Sequence, residues 1–195
     1  KDGIAQTLDD YENAARCAKA AGFDGVEVHG ANGYLLDQFL QDGVNQRSDR
    51  YGGSIENRMR LLGDVLDRVT QVFPADRVGV RVSPLAQAND MSDSDPEALF
   101  SQVYAMLSDR SVAYLHAIEE FYGVETSDDD RALLRRLRKN FNGVYIGNGS
   151  FDAQKAVEAI ENGNADGLSF DHATVVDPRG ARASDLPLAY PAVSG

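Results

Sequence analysis

One cysteine, three histidines and 19 basic residues against 31 acidic ones stand in a chain of 195 residues, and each scarcity closes off a class of protein. The single thiol, Cys17, cannot form an internal disulfide. It lies in a helical pattern beside Ala14, Ala15 and Ala18, which predicts a buried structural thiol. The formal charge of -12 repels phosphate backbones and anionic headgroups, so nonspecific binding to nucleic acid or a membrane surface is excluded, although a local basic pocket can still seat one phosphate. No apolar run approaches membrane-spanning length and no signal-peptide pattern opens the chain, so a cytoplasmic location is expected. The histidines lie far apart and no His/Asp/Glu cluster has ligand spacing, so no metal site is predicted. The Gly-x-Ser-x-Gly string of a nucleophile elbow is missing, which leaves a Ser–His–Asp triad unsupported. The first methionine is Met59, so the chain reads as a fragment or a processed product.

What is present is an ordinary globular composition, 43% hydrophobic and 26% charged, of a length for one cored domain. Thr7 with Asp10 resembles a capping box opening a first helix through Leu8, Tyr11, Ala15 and Ala18 to a stop at Gly22. Phe23 to His29 follows as a strand, and residues 35–40 as a turn or two of helix. Ser54 caps a helix whose apolar residues Ile55, Met59, Leu62, Leu66, Val69 and Phe73 fall on one face. Arg77 to Val82 alternates as a strand, and Asp95-Pro96-Glu97 is a strong helix start. Val112 to His116, Val144 to Ile146 and Gly167 to Phe170 are further strands, separated by helices that begin near Ser127 and Asp152.

Strands alternating with helices imply parallel pairing through right-handed crossovers. The class is α/β, and the pattern fits either an open doubly wound sheet or part of a (β/α)8 barrel. Residues 1–178 form the repeating unit, and 179–195 read as an irregular tail.

In parallel folds chemistry collects at the C-terminal ends of strands. Those ends offer His29 and Asn32; Arg81 and Ser83; His116 and Glu119; Gly147 to Ser150; and Asp171 with His172. The stretch Val26 to Tyr34 carries a His, an Asn and a Tyr on a loop punctuated by Gly30 and Gly33. Either these side chains do chemistry, or Gly30, Asn32 and Gly33 supply a turn and Tyr34 packs on it. Arg81 on an apolar strand must reach an anion or water, and the anion is either a ligand or a neighbouring carboxylate. Gly-Asn-Gly-Ser before a helix suits a phosphate, as do many α/β turns.

Longer strings narrow these alternatives. Gly22 to Leu40, Asn45 to Arg58, Arg77 to Pro84, Ala113 to His116 and Gly147 to Ser150, in that order, closely resemble the Old Yellow Enzyme family of flavin ene-reductases. The resemblance covers residues 4 to about 178 and implies a (β/α)8 TIM-barrel fold of which this chain supplies about five βα units, the family's first three being absent. It implies non-covalent FMN as cofactor, NAD(P)H as reductant and an α,β-unsaturated small molecule as substrate. On that template His29 and Asn32 hold the substrate's carbonyl or nitro oxygen, Tyr34 is the general acid, and Arg81 faces the flavin N1–O2 edge. Asn148, Gly149 and Ser150 match the phosphate loop. Phe170-Asp171-His172 stands where the family has Phe-Gly-Arg, so Asp171 adds negative charge beside the phosphate and His172 is a weaker cation. The expected partner is a complementary N-terminal chain or a second copy at the open sheet edges. A flavin-free partial barrel acting by association is the alternative.

Overall fold

The structure, a computed structural model, describes residues 2–85, 90–120, 126–149, 151 and 153–170. Ser150, Asp171, His172 and the expected tail 179–195 lie outside the described residues. The elements follow in the order α1 (Asp2–Ala20), β1 (Val26–Gly30), α2 (Leu35–Leu40), α3 (Ile55–Val69), β2 (Val78–Val82), α4 (Pro96–Asp109), β3 (Tyr114–Ile118), α5 (Asp128–Arg138), β4 (Val144–Asn148), α6 (Ala153–Glu161) and β5 (Gly167–Ser169). A 3-10 turn, Ala75–Arg77, leads into β2.

The five described strands pair parallel in sequential order, β1-β2-β3-β4-β5. A doubly wound sheet reverses its strand order at a switch point, so sequential order removes that alternative and leaves a barrel segment. Each strand alternates faces. Val28, Val80, Leu115 and Tyr145 share one register row and are all buried beneath the helices. There they meet Leu62, Val65 and Leu66 of α3, Leu99, Phe100 and Val103 of α4, and Leu137 of α5. Each such fully buried side chain contributes about 1.5–3 kcal/mol relative to exposure.

Local signals set most helix starts. The Ser54 hydroxyl accepts from the Asn57 N–H at 3.3 Å, Asp95 accepts from the Ala98 N–H at 2.9 Å, and Ser127 with Asp130 forms a reciprocal capping box. Thr7 is not a cap: α1 begins at Asp2, and the Thr7 hydroxyl donates back to the Gly3 carbonyl at 2.8 Å inside the helix. Cys17 is exposed rather than buried, because α1 packs on α3 through the stripe Ile4, Leu8, Tyr11, Ala15 and Ala18, which Cys17 does not share. β1 starts at Val26 and not at Phe23, which is 65% exposed. β3 begins two residues later than its apolar run suggests, since the Val112 N–H closes the end of α4 on the Leu107 carbonyl. Among the described residues no helix is long and apolar enough to cross a membrane.

Candidate functional site

The face of the sheet turned away from the helices carries the polar side chains. His29 on β1 pairs in register with Arg81 on β2, and Arg81 with His116 on β3. Further along, Ile118 pairs with Asn148 on β4, and Asn148 with Ser169 on β5. These residues form two sets that skip alternate strands. Glu27, His116 and Ser169 come from β1, β3 and β5: the His116 Nδ1 lies 2.9 Å from a Glu27 carboxylate oxygen and its Nε2 lies 2.7 Å from the Ser169 hydroxyl. Arg81 and Asn148 come from β2 and β4, with the Arg81 Nη2 donating to the Asn148 side-chain carbonyl at 2.7 Å. Layers built from alternate strands are the packing rule of a (β/α)8 interior, so the inner face is that of a barrel even with five strands.

Beyond β1 the chain turns sharply. Asn32 and Gly33 adopt left-handed backbone, φ 59° and 72°, which Asn tolerates and Gly takes without cost. Gly30 serves a different end, since a Cβ there would come within 3.3 Å of the Arg81 carbonyl oxygen. The turn brings the Tyr34 ring to 5.3 Å from the His29 ring, centroid to centroid, with Tyr34 60% exposed. His29, Tyr34 and Arg81 therefore converge at one end of β1 and β2, and the Arg81–Asn148 bond brings in β4.

Asn148 is buried, and its amide is committed: it accepts from Arg81 and donates to the Ser169 carbonyl at 3.2 Å. Its side chain thus orients Arg81, and a phosphate seat on this loop would draw on the backbone there. A Cβ on Gly149 would sit 2.8 Å from the Glu120 Cβ and 3.1 Å from the Glu120 nitrogen, so the loop after β4 lies against the loop after β3. His116 stands within β3 rather than at its end, and Glu119 turns to the helix side, where it accepts the Tyr145 hydroxyl at 2.7 Å.

Electrostatics set the protonation states. Burial lowers the His29 pKa below the usual histidine value, the Arg81 and His116 charges lower it further, and Glu27 only partly opposes them. His29 is therefore a neutral imidazole at pH 7. Burial raises the Glu27 carboxyl, but the His116 and Tyr114 hydrogen bonds and the Arg81 charge outweigh it, so its pKa is lowered. Burial, then the Glu27 charge, pushes Tyr114 up to about 12. Among the described residues no group of three or more His, Cys, Asp or Glu is placed to hold a metal ion.

The Arg81 Nε is buried and has no hydrogen-bond partner among the described residues. An orphaned donor of this kind calls for an acceptor beyond the described residues. The N1–O2 edge of a flavin presents such acceptors, so the inner face fits the pyrimidine end of FMN.

These features define a segment of a parallel (β/α)8 barrel whose polar inner face carries a buried cation, Arg81. Comparison with known proteins agrees: residues 1–183 match the model of the NADH:flavin oxidoreductase / NADH oxidase family. A probable flavin mononucleotide-dependent alkene reductase of Leishmania infantum is 46% identical over 176 residues, which are 90% of this chain and 47% of that protein. Putative 12-oxophytodienoate reductase 10 of Oryza sativa subsp. japonica is 41% identical over 190 residues, 94% of this chain and 58% of that protein. Among solved structures, morphinone reductase superposes with a TM-score of 0.82 at 40% identity, covering 87% of this chain and 46% of that one. The Old Yellow Enzyme homologue of Zymomonas mobilis gives 0.81 at 41%, covering 87% and 48%. The chain belongs to the NADH:flavin oxidoreductase / NADH oxidase family, that of Old Yellow Enzyme, and spans about half the length of the relatives it matches.

The Glu27–His116–Ser169 and Arg81–Asn148 links escape a reading of strand ends. One signal for the first was available: Glu27 stands two residues before His29 and so shares its face.

Proposed function

We propose that this chain forms the substrate-binding wall of an FMN-dependent NAD(P)H oxidoreductase that reduces activated alkenes such as enones and nitroalkenes. The observation that carries this reading is the buried Arg81 Nε, without a partner among the described residues, beside His29 and Tyr34. Hydride transfer from NAD(P)H to the β-carbon of the alkene is the chemistry that FMN would supply when bound. Arg81 would hold the N1–O2 edge and favour negative charge there. His29, as a neutral donor, and the Asn32 amide would bind the substrate's carbonyl or nitro oxygen, where charge grows as the hydride arrives. The Tyr34 hydroxyl, exposed at the mouth of the turn, would give the proton to the α-carbon. Gly149 and Ser150 would seat the phosphate, with Asp171 and His172 weakening that seat. A closed barrel needs three strands beyond these five, which another stretch of polypeptide or a second copy of this chain would have to supply at the edges of β1 and β5.

The test is spectroscopic. Protein incubated with FMN and desalted should stay yellow, bleach with NADPH and regain colour with an enone. A colourless, stable oligomer that takes up no FMN refutes the reading and favours a partial barrel that acts by association. Tyr34→Phe should slow reoxidation by alkene by about 10²-fold or more, as expected for loss of a general acid, while leaving flavin reduction near wild type. Equal effects on both halves count against Tyr34 as the acid.

A further inference from the structure

The turn that presents Asn32 and Tyr34 rests on one buried carboxylate. Asp37, in the first turn of α2, is 0% exposed, as is Ser83 just beyond β2. One Asp37 oxygen accepts the Gly33 N–H at 2.9 Å and the Ser83 hydroxyl at 3.2 Å, and the other accepts the Gln41 side-chain amide at 2.7 Å. The Ser83 oxygen in turn accepts the Asn32 N–H at 2.9 Å. The two consecutive N–H groups of the left-handed residues thus end on Asp37, one directly and one through a single hydroxyl. Each of these partners of Asp37 is neutral, and a carboxylate buried on neutral donors alone is costly in a position flanked by the core residues Leu36 and Leu40. Burial accordingly raises its pKa, and the Gln41, Gly33 and Ser83 hydrogen bonds hold that rise in check. Simple filling of the site by a leucine would avoid this cost, so the carboxylate is there for its hydrogen bonds.

We propose that Asp37 is the positioning residue of the substrate-binding pair: with Ser83 it locks the Asn32–Gly33 turn onto the end of β2, which fixes Asn32 and Tyr34 relative to His29 and Arg81. This rests on the reading that His29 and Asn32 bind the substrate oxygen. The strand end supplies the fixed frame, because Ser83 follows directly on Val82 of the sheet.

Three variants test it: Asp37→Asn, Asp37→Ala and Ser83→Ala. Asparagine keeps an acceptor for Gly33 and Ser83, and a flipped Gln41 amide can accept from its new N–H. Amide hydrogen exchange of Asn32 and Gly33 reads the lock without any cofactor. Asp37→Ala should speed both amides by at least about tenfold, the loss expected for a hydrogen bond to a charged acceptor, Ser83→Ala should speed Asn32 alone, and Asp37→Asn should restore protection. In FMN-loaded protein, Asp37→Ala should lower the rate of alkene-dependent reoxidation by about tenfold or more, with FMN content unchanged and Asp37→Asn rescuing it. Unchanged exchange in Asp37→Ala and Ser83→Ala overturns the proposal. Faster exchange with normal alkene reoxidation also overturns it, since the turn would then be structural only. If the wild-type protein holds FMN but reduces no alkene, the proposed function fails, whereas the exchange pattern still decides whether Asp37 locks the turn. Should Asp37→Ala not fold, Ser83→Ala and Asp37→Asn give the same decision.

Discussion

Arg58, on α3, is only 4% exposed and ties the end of α2 and the loop before α3 to the loop before α4. Its Nη1 donates to the Leu40 carbonyl and to the Asp93 carboxylate, its Nε to the Gly53 carbonyl at 3.2 Å, and its Nη2 lies 3.8 Å from Asp42. The Asp93 side chain is 1% exposed and also accepts the N–H groups of Asp42 and Asp95, at 2.9 and 3.0 Å. Arg58→Met removes the cation and leaves the Asp93 charge buried with two backbone partners, while the Leu40 and Gly53 carbonyls lose theirs. Breaking a buried pair from one side costs about 3–5 kcal/mol. For a chain of this size each kcal/mol moves Tm by about 2–4 °C, so a fall of about 6–20 °C is expected. The chain has no tryptophan, so urea and thermal unfolding are best followed by far-ultraviolet circular dichroism. Arg58→Met combined with Asp93→Asn removes the unpaired charge and keeps an acceptor for one of the two N–H groups, which end on different Asp93 oxygens, and should recover about 1–2 kcal/mol of the loss. A single-mutant cost below about 1 kcal/mol, or a double mutant no more stable than Arg58→Met, would falsify the assignment of the penalty to a stranded buried charge.

Two other tests follow from the charges of the site. The His29 pKa, followed by NMR of the imidazole, should lie below the ordinary histidine value, and Arg81→Met should bring it back up; a His29 titrating above the ordinary value in the wild type contradicts the burial and Arg81 effects. Because this base is depressed on folding, the unfolded chain binds the extra proton: His29 costs no stability above the unfolded pKa, and stability falls as pH drops from there through the lower folded value, so unfolding should become easier in mild acid and less so in His29→Gln. Asp171→Gly with His172→Arg should tighten FMN binding by about tenfold or more, through one gained charge-assisted bond and one lost repulsion; fluorescence quenching titrations showing no change would mean that these residues do not face the phosphate.

Much of the scaffold is legible because its signals are local. Ser54, Asp95 and Ser127 announce their helices through caps that need only the next three residues. Asn32 and Gly33 announce a left-handed turn by residue type alone. The errors share a cause: they turn on which face of an element is covered, and that is decided by partners distant in sequence. Cys17 sits among alanines, yet α3 covers the face one residue step away. Val112 is apolar enough for a strand, yet the end of α4 claims its N–H. For the site, the loop carrying His29, Asn32 and Tyr34 is contiguous and visible in the chain, whereas Arg81 with Asn148 and Glu27 with His116 are 67 and 89 residues apart and meet only through sheet curvature.

That curvature also decides which charge the inner face offers. Among the described residues Glu27 is the carboxylate whose charge reaches both Arg81 and His29, but it is hydrogen-bonded to His116, in its own layer on β3. Asn148, the direct partner of Arg81, is neutral and already shared with the Ser169 carbonyl. His29 is held neutral by burial and by Arg81 itself. The guanidinium is therefore left with a buried N–H that none of the described residues satisfies, in a row of otherwise neutral or paired groups. Such a donor is costly to leave without an acceptor, and the flavin edge proposed above would supply one whose negative charge increases on reduction. The alternate-strand layering is thus more than a packing habit: by drawing Glu27 toward β3, it keeps the Arg81 charge available on β2.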